Sequence, residues 1–184
     1  FVPQVTPQAE VTYLEDQAKV MMGDQVWRAI QTGGHAPGHL SFYQEDSRIL
    51  LCGDAVLPQI SPNVSLVPGS DPEPLQTYLT SLKQLNALEV EMALPGHRNP
   101  FTHFKERTEA LILHHEERLS KIAEYLEHEP RTGYEVCEFL FGTKLGVHQM
   151  RFAMCEALAH LQELRRQGRV KGHSINGIIQ YANV

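Results

Sequence analysis

The stretch QTGGHAPGHLSF, Gln31 to Phe42, carries two histidines, His35 and His39, four residues apart on a segment that cannot be a helix. On a helix this spacing would put both imidazoles on one face, as in metal sites of the H-E-x-x-H kind. Here Pro37 lacks the amide donor and its ring clashes with a preceding helical turn, and Gly38 favours turn conformations. The two rings therefore serve different ends, and the segment reads as a loop between strands.

On either side of it apolar and polar residues alternate in short runs broken by turn signals. VTYLE (11–15), AKVMM (18–22) and VWRAIQT (26–32) precede it, with Gly23-Asp24 between the last two; LSFYQ (40–44) and RILLCGD (48–54) follow, separated by Glu45-Asp46-Ser47. This is the pattern of consecutive short strands joined by tight turns. The unbroken apolar run Ile49-Leu50-Leu51-Cys52 suits a sheet covered on both faces. A proline-rich loop comes next, LPQISPNVSLVPGSDPEP (57–74), and its end predicts a helix with Ser70 or Asp71 as N-cap and Pro72 in the first turn. Leu75, Leu79, Leu82 and Leu85 form the apolar stripe of that helix, a core face that stops near Asn86, and VEMAL (90–94) reads as a further strand leading to Pro95-Gly96-His97.

From Phe104 the period is helical. Phe104, Leu111, His115, Leu119, Ile122 and Leu126 mark one face of a long helix bounded by Pro130, with His115 inward and His114 toward solvent. Thr132-Gly133-Tyr134-Glu135 has the form of a capping box for a second helix ending near Phe141. A third helix turns Met150, Ala153, Met154, Ala157, Leu158, Leu161 and Leu164 inward and stops at Gly168. The tail predicts a hairpin around Asn176-Gly177. Three helices and a hairpin is the order of a winged helix.

The bulk composition narrows the function. With 184 residues the chain suits one large or two small domains. Its 42% hydrophobic and 21% charged residues are those of a soluble globular protein, without the run of about 18 apolar residues that a membrane span requires. Cys52, Cys137 and Cys155 form no C-x-x-C pair, which points to a reducing compartment, the cytoplasm, and makes Cys52 a buried small hydrophobe. The start, Phe1-Val2-Pro3-Gln4, has neither an initiator methionine nor a basic or apolar targeting region and reads as the start of an excised piece. The net charge of −6 lies in the first 103 residues, with five basic against eleven acidic side chains, while residues 104–184 carry eleven of each. Neither half has the positive excess that phosphate-backbone binding demands.

Three strand ends finish in potential metal ligands beside glycine: His35 in GGHAPGH, Asp54 in LLCGDAV and His97 in ALPGH. Any one of them alone could merely stabilise a turn. The ordered set points to a metal site, because imidazole nitrogen and carboxylate oxygen together suit zinc, iron and manganese. His103 reads as a loop histidine.

These segments resemble the metallo-β-lactamase superfamily of hydrolases, specifically its C-terminal half, over essentially the whole chain, with the appended winged helix of the β-lactamase-like-protein-2 group. The resemblance implies an α/β (α+β) fold: the C-terminal half of an αββα sandwich over residues 1–102, then a winged-helix domain over 103–184. It implies that His35, the first histidine of H-x-P-G-H, binds metal while His39 supports the loop, that Asp54 bridges two metals, and that His97 binds the second. The expected cofactor is a zinc pair. The parent's reaction would be hydrolysis of an ester, thioester, lactone, amide or phosphodiester in a small-molecule substrate. The family's leading H-x-H-x-D-H motif is absent, since no two histidines here lie two apart. One site keeps His35 and Asp54 and the other Asp54 and His97, fewer than the three or four ligands zinc sites use, so this chain alone is expected to bind metal weakly and to be inactive. A half-sandwich exposes an apolar face, which predicts dimerisation or other self-association.

The competing reading is a non-enzymatic nucleic-acid-binding or regulatory protein, or a metal-dependent nuclease, with Arg151, Arg165, Arg166, Arg169 and Lys171 of the winged helix touching phosphates. Glu156 and Glu163 on the same helix and the neutrality of the module favour instead a packing or dimerisation element at the mouth of the site.

Overall fold

The structure, a computed structural model, describes residues 12–184. The alternating runs form a five-stranded sheet of β1 (Lys19–Met22), β2 (Gln25–Gln31), β3 (Leu40–Gln44), β4 (Ile49–Gly53) and β5 (Met92–Pro95), paired in that order. The first four strands are antiparallel and β5 runs parallel to β4. A parallel pair needs a crossover, and α1 (Pro74–Asn86) supplies it.

Register decides which face is covered. Tyr43, Leu50 and Ala93 align across three strands and are buried, in one core cluster with Leu75, Tyr78, Leu79, Leu82 and Leu85 of α1. The next register row, Phe42, Leu51 and Leu94, lies on the opposite face and is only half-buried. The period of two thus sorts the apolar residues into a covered and a partly open face.

Two local expectations change. The helix begins at Pro74 with Glu73 as N-cap, not at Ser70 or Asp71. A residue before proline is disfavoured in the α region, so Glu73, at φ −133° and ψ 54°, cannot be helical. Asp71 instead accepts a hydrogen bond from the Glu73 amide, 2.9 Å, in a turn just ahead of the helix. The strand expected over VTYLE is not formed by Thr12–Glu15, and Val11 and the N-terminal start lie outside the described residues. The Asp16 carboxylate accepts from the Gln31 amide at 2.7 Å and a turn intervenes, with Gln17 at φ 65°, before β1 begins.

The remainder is α2 (Phe104–Tyr125), β6 (Arg131–Thr132), α3 (Gly133–Phe141), α4 (Val147–Arg166), β7 (Val170–Ile175) and β8 (Ile178–Asn183). The predicted order of three helices and a hairpin is the order observed. Thr132 and Glu135 make the reciprocal capping box, and Asn176 and Gly177 turn the hairpin at φ 52° and 79°. The unforeseen β6 is two residues long, too short to show a period, and adds a third strand beside β8. α4 packs against α3 on one side and against α1 and α2 on another. Its buried arc therefore extends past the apolar stripe to Glu156, His160 and Glu163, whereas Met150, Met154 and Leu158 are half-buried. No helix among the described residues is long and apolar enough to cross a membrane.

Candidate metal centre

Parallel pairing of β4 and β5 brings their C-terminal ends together, and the Gly96 amide donates to the Gly53 carbonyl at 2.8 Å. Asp54 follows β4 and His97 follows β5, so their side chains meet at the lip of the sheet. The Asp54 Oδ1 accepts from His97 Nδ1 at 2.7 Å, and Oδ2 lies 3.8 Å from His35 Nε2. Each carboxylate oxygen thus faces a different imidazole.

His35 sits on the loop between β2 and β3. Its Nδ1 is 2.8 Å from the Asn63 carbonyl. A carbonyl only accepts, so Nδ1 carries a proton, and Nε2 is the ring nitrogen that faces Asp54. The three side chains line a cavity of about 580 Å³ with Leu57, Ile60 and Pro62 as apolar wall and Arg98 beside His97. Arg98 takes φ 75°, a left-handed conformation in which a side chain of this kind persists only where the surroundings enforce it.

His39 does something else. Its Nε2 accepts from the Asp54 amide at 3.3 Å, and its Nδ1 donates to Thr32 Oγ1 at 2.7 Å, which in turn lies 2.9 Å from Ser41 Oγ. Burial, and after it the neighbouring His35, hold the ring below the ordinary histidine range, which keeps Nε2 free to accept. Gly53 permits this approach: it lies at φ 51°, and a Cβ there would come within 2.5 Å of His39 Nε2. His39 therefore ties the His35 loop to the backbone of Asp54.

Two imidazoles and a carboxylate are the donor chemistry of zinc, iron or manganese, and a hydrogen-bonded Nδ1–H is how metal-binding histidines are usually held. The fit is one of chemistry and not of number. Among the described residues no group of three or more His, Cys, Asp or Glu side chains is drawn close enough to hold an ion by itself.

The other histidines lie apart from this cavity. His103 packs on Phe101, with ring centroids 5.2 Å apart. His115 is fully buried, as expected, but His114 is not solvent-facing: its ring is half-buried, since α2 is flanked by α3 and the loop at Ile60, and its Nε2 finds no hydrogen-bond partner among the described residues. Cys52 is fully buried in the sheet, and burial pushes its thiol up to about 12. Of the arginines considered for phosphate contacts, Arg166 grips Glu163 through two hydrogen bonds, 2.7 and 2.8 Å, and Gln76 through a third, 2.9 Å. Arg165 donates to Gln162 at 3.3 Å. Sequence reasoning missed Asn63 and Thr32, whose partners lie 28 and 7 residues away; a lone polar residue between the apolar Pro62 and Val64 was the only local sign of the first.

The profile of the metallo-beta-lactamase superfamily matches residues 2–97, and that of the metallo-beta-lactamase-like C-terminal domain matches residues 119–184. A solved beta-lactamase domain protein from Burkholderia ambifaria is 34% identical, with a TM-score of 0.92 over 100% of this chain and 55% of its own. The probable metallo-hydrolase YqjP of Bacillus subtilis is 27% identical over 155 residues, 82% of this chain and 48% of YqjP. The beta-lactamase-like protein 2 homolog of Caenorhabditis elegans is 28% identical over 125 residues, 67% of this chain and 40% of that protein. The chain spans half the length or less of these curated relatives. The superfamily profile covers more than half of the chain and the solved relative matches all of it, so this protein belongs to the metallo-β-lactamase superfamily.

Proposed function

We propose that these 184 residues supply the C-terminal part of a metal-dependent hydrolase and hold half of the ligand set of a dinuclear centre. His35 and Asp54 serve one metal, Asp54 and His97 the other, and zinc is the expected ion. The observation that carries this is Asp54, which turns one oxygen to His97 Nδ1 and the other to His35 Nε2. When bound, the ions supply an activated water at neutral pH and polarise the carbonyl or phosphoryl group under attack. The chain's own residues do the positioning. Asp54 spans the two halves of the centre, His39 fixes the backbone of Asp54, and Leu57, Ile60 and Pro62 offer an apolar wall to the non-reacting part of an ester, thioester, lactone, amide or phosphodiester.

The remaining ligands come from an H-x-H-x-D-H segment outside these residues, so the chain alone binds metal weakly and does not hydrolyse. The half-buried row Phe42, Leu51 and Leu94 supports a second layer packing on that face, or another copy of the chain where the layer is lacking. Residues 103–184 act as a winged-helix module that packs on the site loop and does not read nucleic acid, in keeping with the engaged Arg166. Three free cysteines support a cytoplasmic setting.

Elemental mass spectrometry tests the reading on this chain beside one extended to include that motif. About two metals in the extended protein and almost none in the short one are expected. Equal and negligible content in both would overturn it.

A further inference from the structure

Besides Arg107 of α2, which donates to the Leu57 and Ile60 carbonyls at 2.7 and 2.9 Å, a chain of hydrogen bonds that the proposed chemistry does not use joins the helical module to the centre. Asn63 lies in a loop without regular secondary structure, yet its carbonyl must stay in place to hold the His35 Nδ1–H. Its side chain is gripped from α4: Asn63 Nδ2 donates to Glu156 Oε2 at 2.7 Å, and a weaker contact reaches the Phe152 carbonyl at 3.4 Å. Ser65 Oγ donates to Asn63 Oδ1, and Arg118 of α2 pairs with Glu156 Oε1. Three residues further along, the Leu66 amide donates to the Cys155 carbonyl at 3.0 Å.

Glu156 is 7% exposed, and burial pushes its carboxyl up against the pull of Arg118. A buried ion pair contributes little to stability relative to apolar residues of the same size, and its attested use is to fix a geometry. Here one oxygen of Glu156 is committed to the helical module and the other to the loop that orients His35. We propose that Glu156 is a positioning residue for His35, acting through Asn63, so that the C-terminal module sets the tautomer and aim of an imidazole on the sheet. The proposal rests on the reading of His35 as a metal ligand, but the tautomer can be measured without metal.

The polarity of the link supplies the test. In Glu156→Gln the amide turns its oxygen to Arg118 and its NH₂ to the NH₂ of Asn63, which can answer only by flipping its own amide, reversing its bond with Ser65 and giving up the Phe152 carbonyl. In Asn63→Asp two carboxylates face each other. In the double variant the amide introduced at position 156 donates to the carboxylate introduced at position 63, Arg118 and Ser65 keep their acceptors, and the link is rebuilt with its direction reversed.

Long-range ¹H–¹⁵N spectra of the chain report the His35 ring nitrogens, assigned by their loss in His35→Asn. A single Nδ1–H tautomer is expected in the native chain and the double variant, and a mixture in each single variant. Zinc affinity of the N-terminally extended protein should fall about 10- to 100-fold in the single variants, the usual cost of losing a partner behind a metal ligand, and recover in the double. Unchanged His35 signals in both single variants, even with lowered melting temperatures, would overturn the positioning role and leave the metal reading intact. Tautomer changes in a protein that takes up no zinc would do the reverse. Asn63→Asp alters only a half-buried loop residue, so the test stands even if Glu156→Gln fails to fold.

Discussion

At the strand ends Asp54 keeps 28% of its side chain in solvent and His97 70%, whereas His115 of α2 and His160 of α4 keep none. The histidines are of one kind and their local bonding is similar. His35 donates Nδ1–H to a loop carbonyl, and His160 donates Nδ1–H to the Glu156 carbonyl at 2.8 Å. The second nitrogen separates them. His35 Nε2 faces a carboxylate in an open cavity, while His160 Nε2 lies 3.1 Å from His115 Nδ1 and accepts its proton in a closed pair. A histidine becomes available to a ligand through where its second lone pair ends, and burial decides that.

The comparison breaks most sharply at Asp54. In the extended protein Asp54→Asn should lower zinc affinity by more than about 100-fold, beyond the cost of losing a partner behind a ligand, with the circular dichroism spectrum unchanged. The partly exposed carboxylate is not part of the core, so fold and affinity separate. Retained affinity, measured by competition with a chelator, would mean that the strand ends are no more functional than the buried pair.

The strand ends were legible because every cue is local. Alternation fixes the strands, glycine marks their ends, and the meeting of Asp54 and His97 follows once β4 and β5 pair in parallel, while His35 joins them from the β2–β3 loop. The helix start shifted because two prolines compete, and Pro74 overrules Pro72 through the residue before it. The buried polar network left no such trace. Asn63 meets Glu156 across 93 residues, and the burial of Glu156 and Glu163 depends on α4 being enclosed by three other helices, which the stripe of one helix cannot show.

The closed pair predicts a pH dependence of stability. Burial is the first cause holding both His115 and His160 below the ordinary histidine range, so both are neutral in the fold. A histidine with a depressed folded value contributes stability that is fully present above its unfolded pKa, about 6.5, and is lost as pH falls below it toward the folded value. The unfolding free energy should therefore drop by up to about 1.4 kcal/mol per pH unit for each ring between about pH 6.5 and 5. Arg118 and His114 reinforce the depression of both rings, Glu163 opposes it for His160, and the raised carboxyl of Glu156 works in the opposite sense with pH. Urea titrations at about pH 7.5 and 5.5, on either side of the unfolded value, should give a smaller pH difference for His115→Leu than for the native chain. An equal difference would show that the pair is not neutral as described.

The smallest effect sharpens the comparison from the helical side. Thr132 caps α3, accepting from the Glu135 amide at 3.2 Å while its own amide donates to Glu135 Oε2 at 2.8 Å. Thr132→Ala should cost about 1 kcal/mol in urea unfolding, the usual effect of losing an N-cap. α3 packs on α4, and its C-terminal Phe141 lies under Arg118 with the guanidinium 5.0 Å from the ring centroid, but Thr132 at its other end bonds to Glu135 and to none of the residues that hold the His35 loop, so the ring spectra of His35 should not move. Since Glu156→Gln acts from the same module, a loss of stability without a change at His35 in Thr132→Ala marks the line from Glu156 to Asn63 as the route by which the module reaches the site. A change in both would make that route a general consequence of loosening the helices.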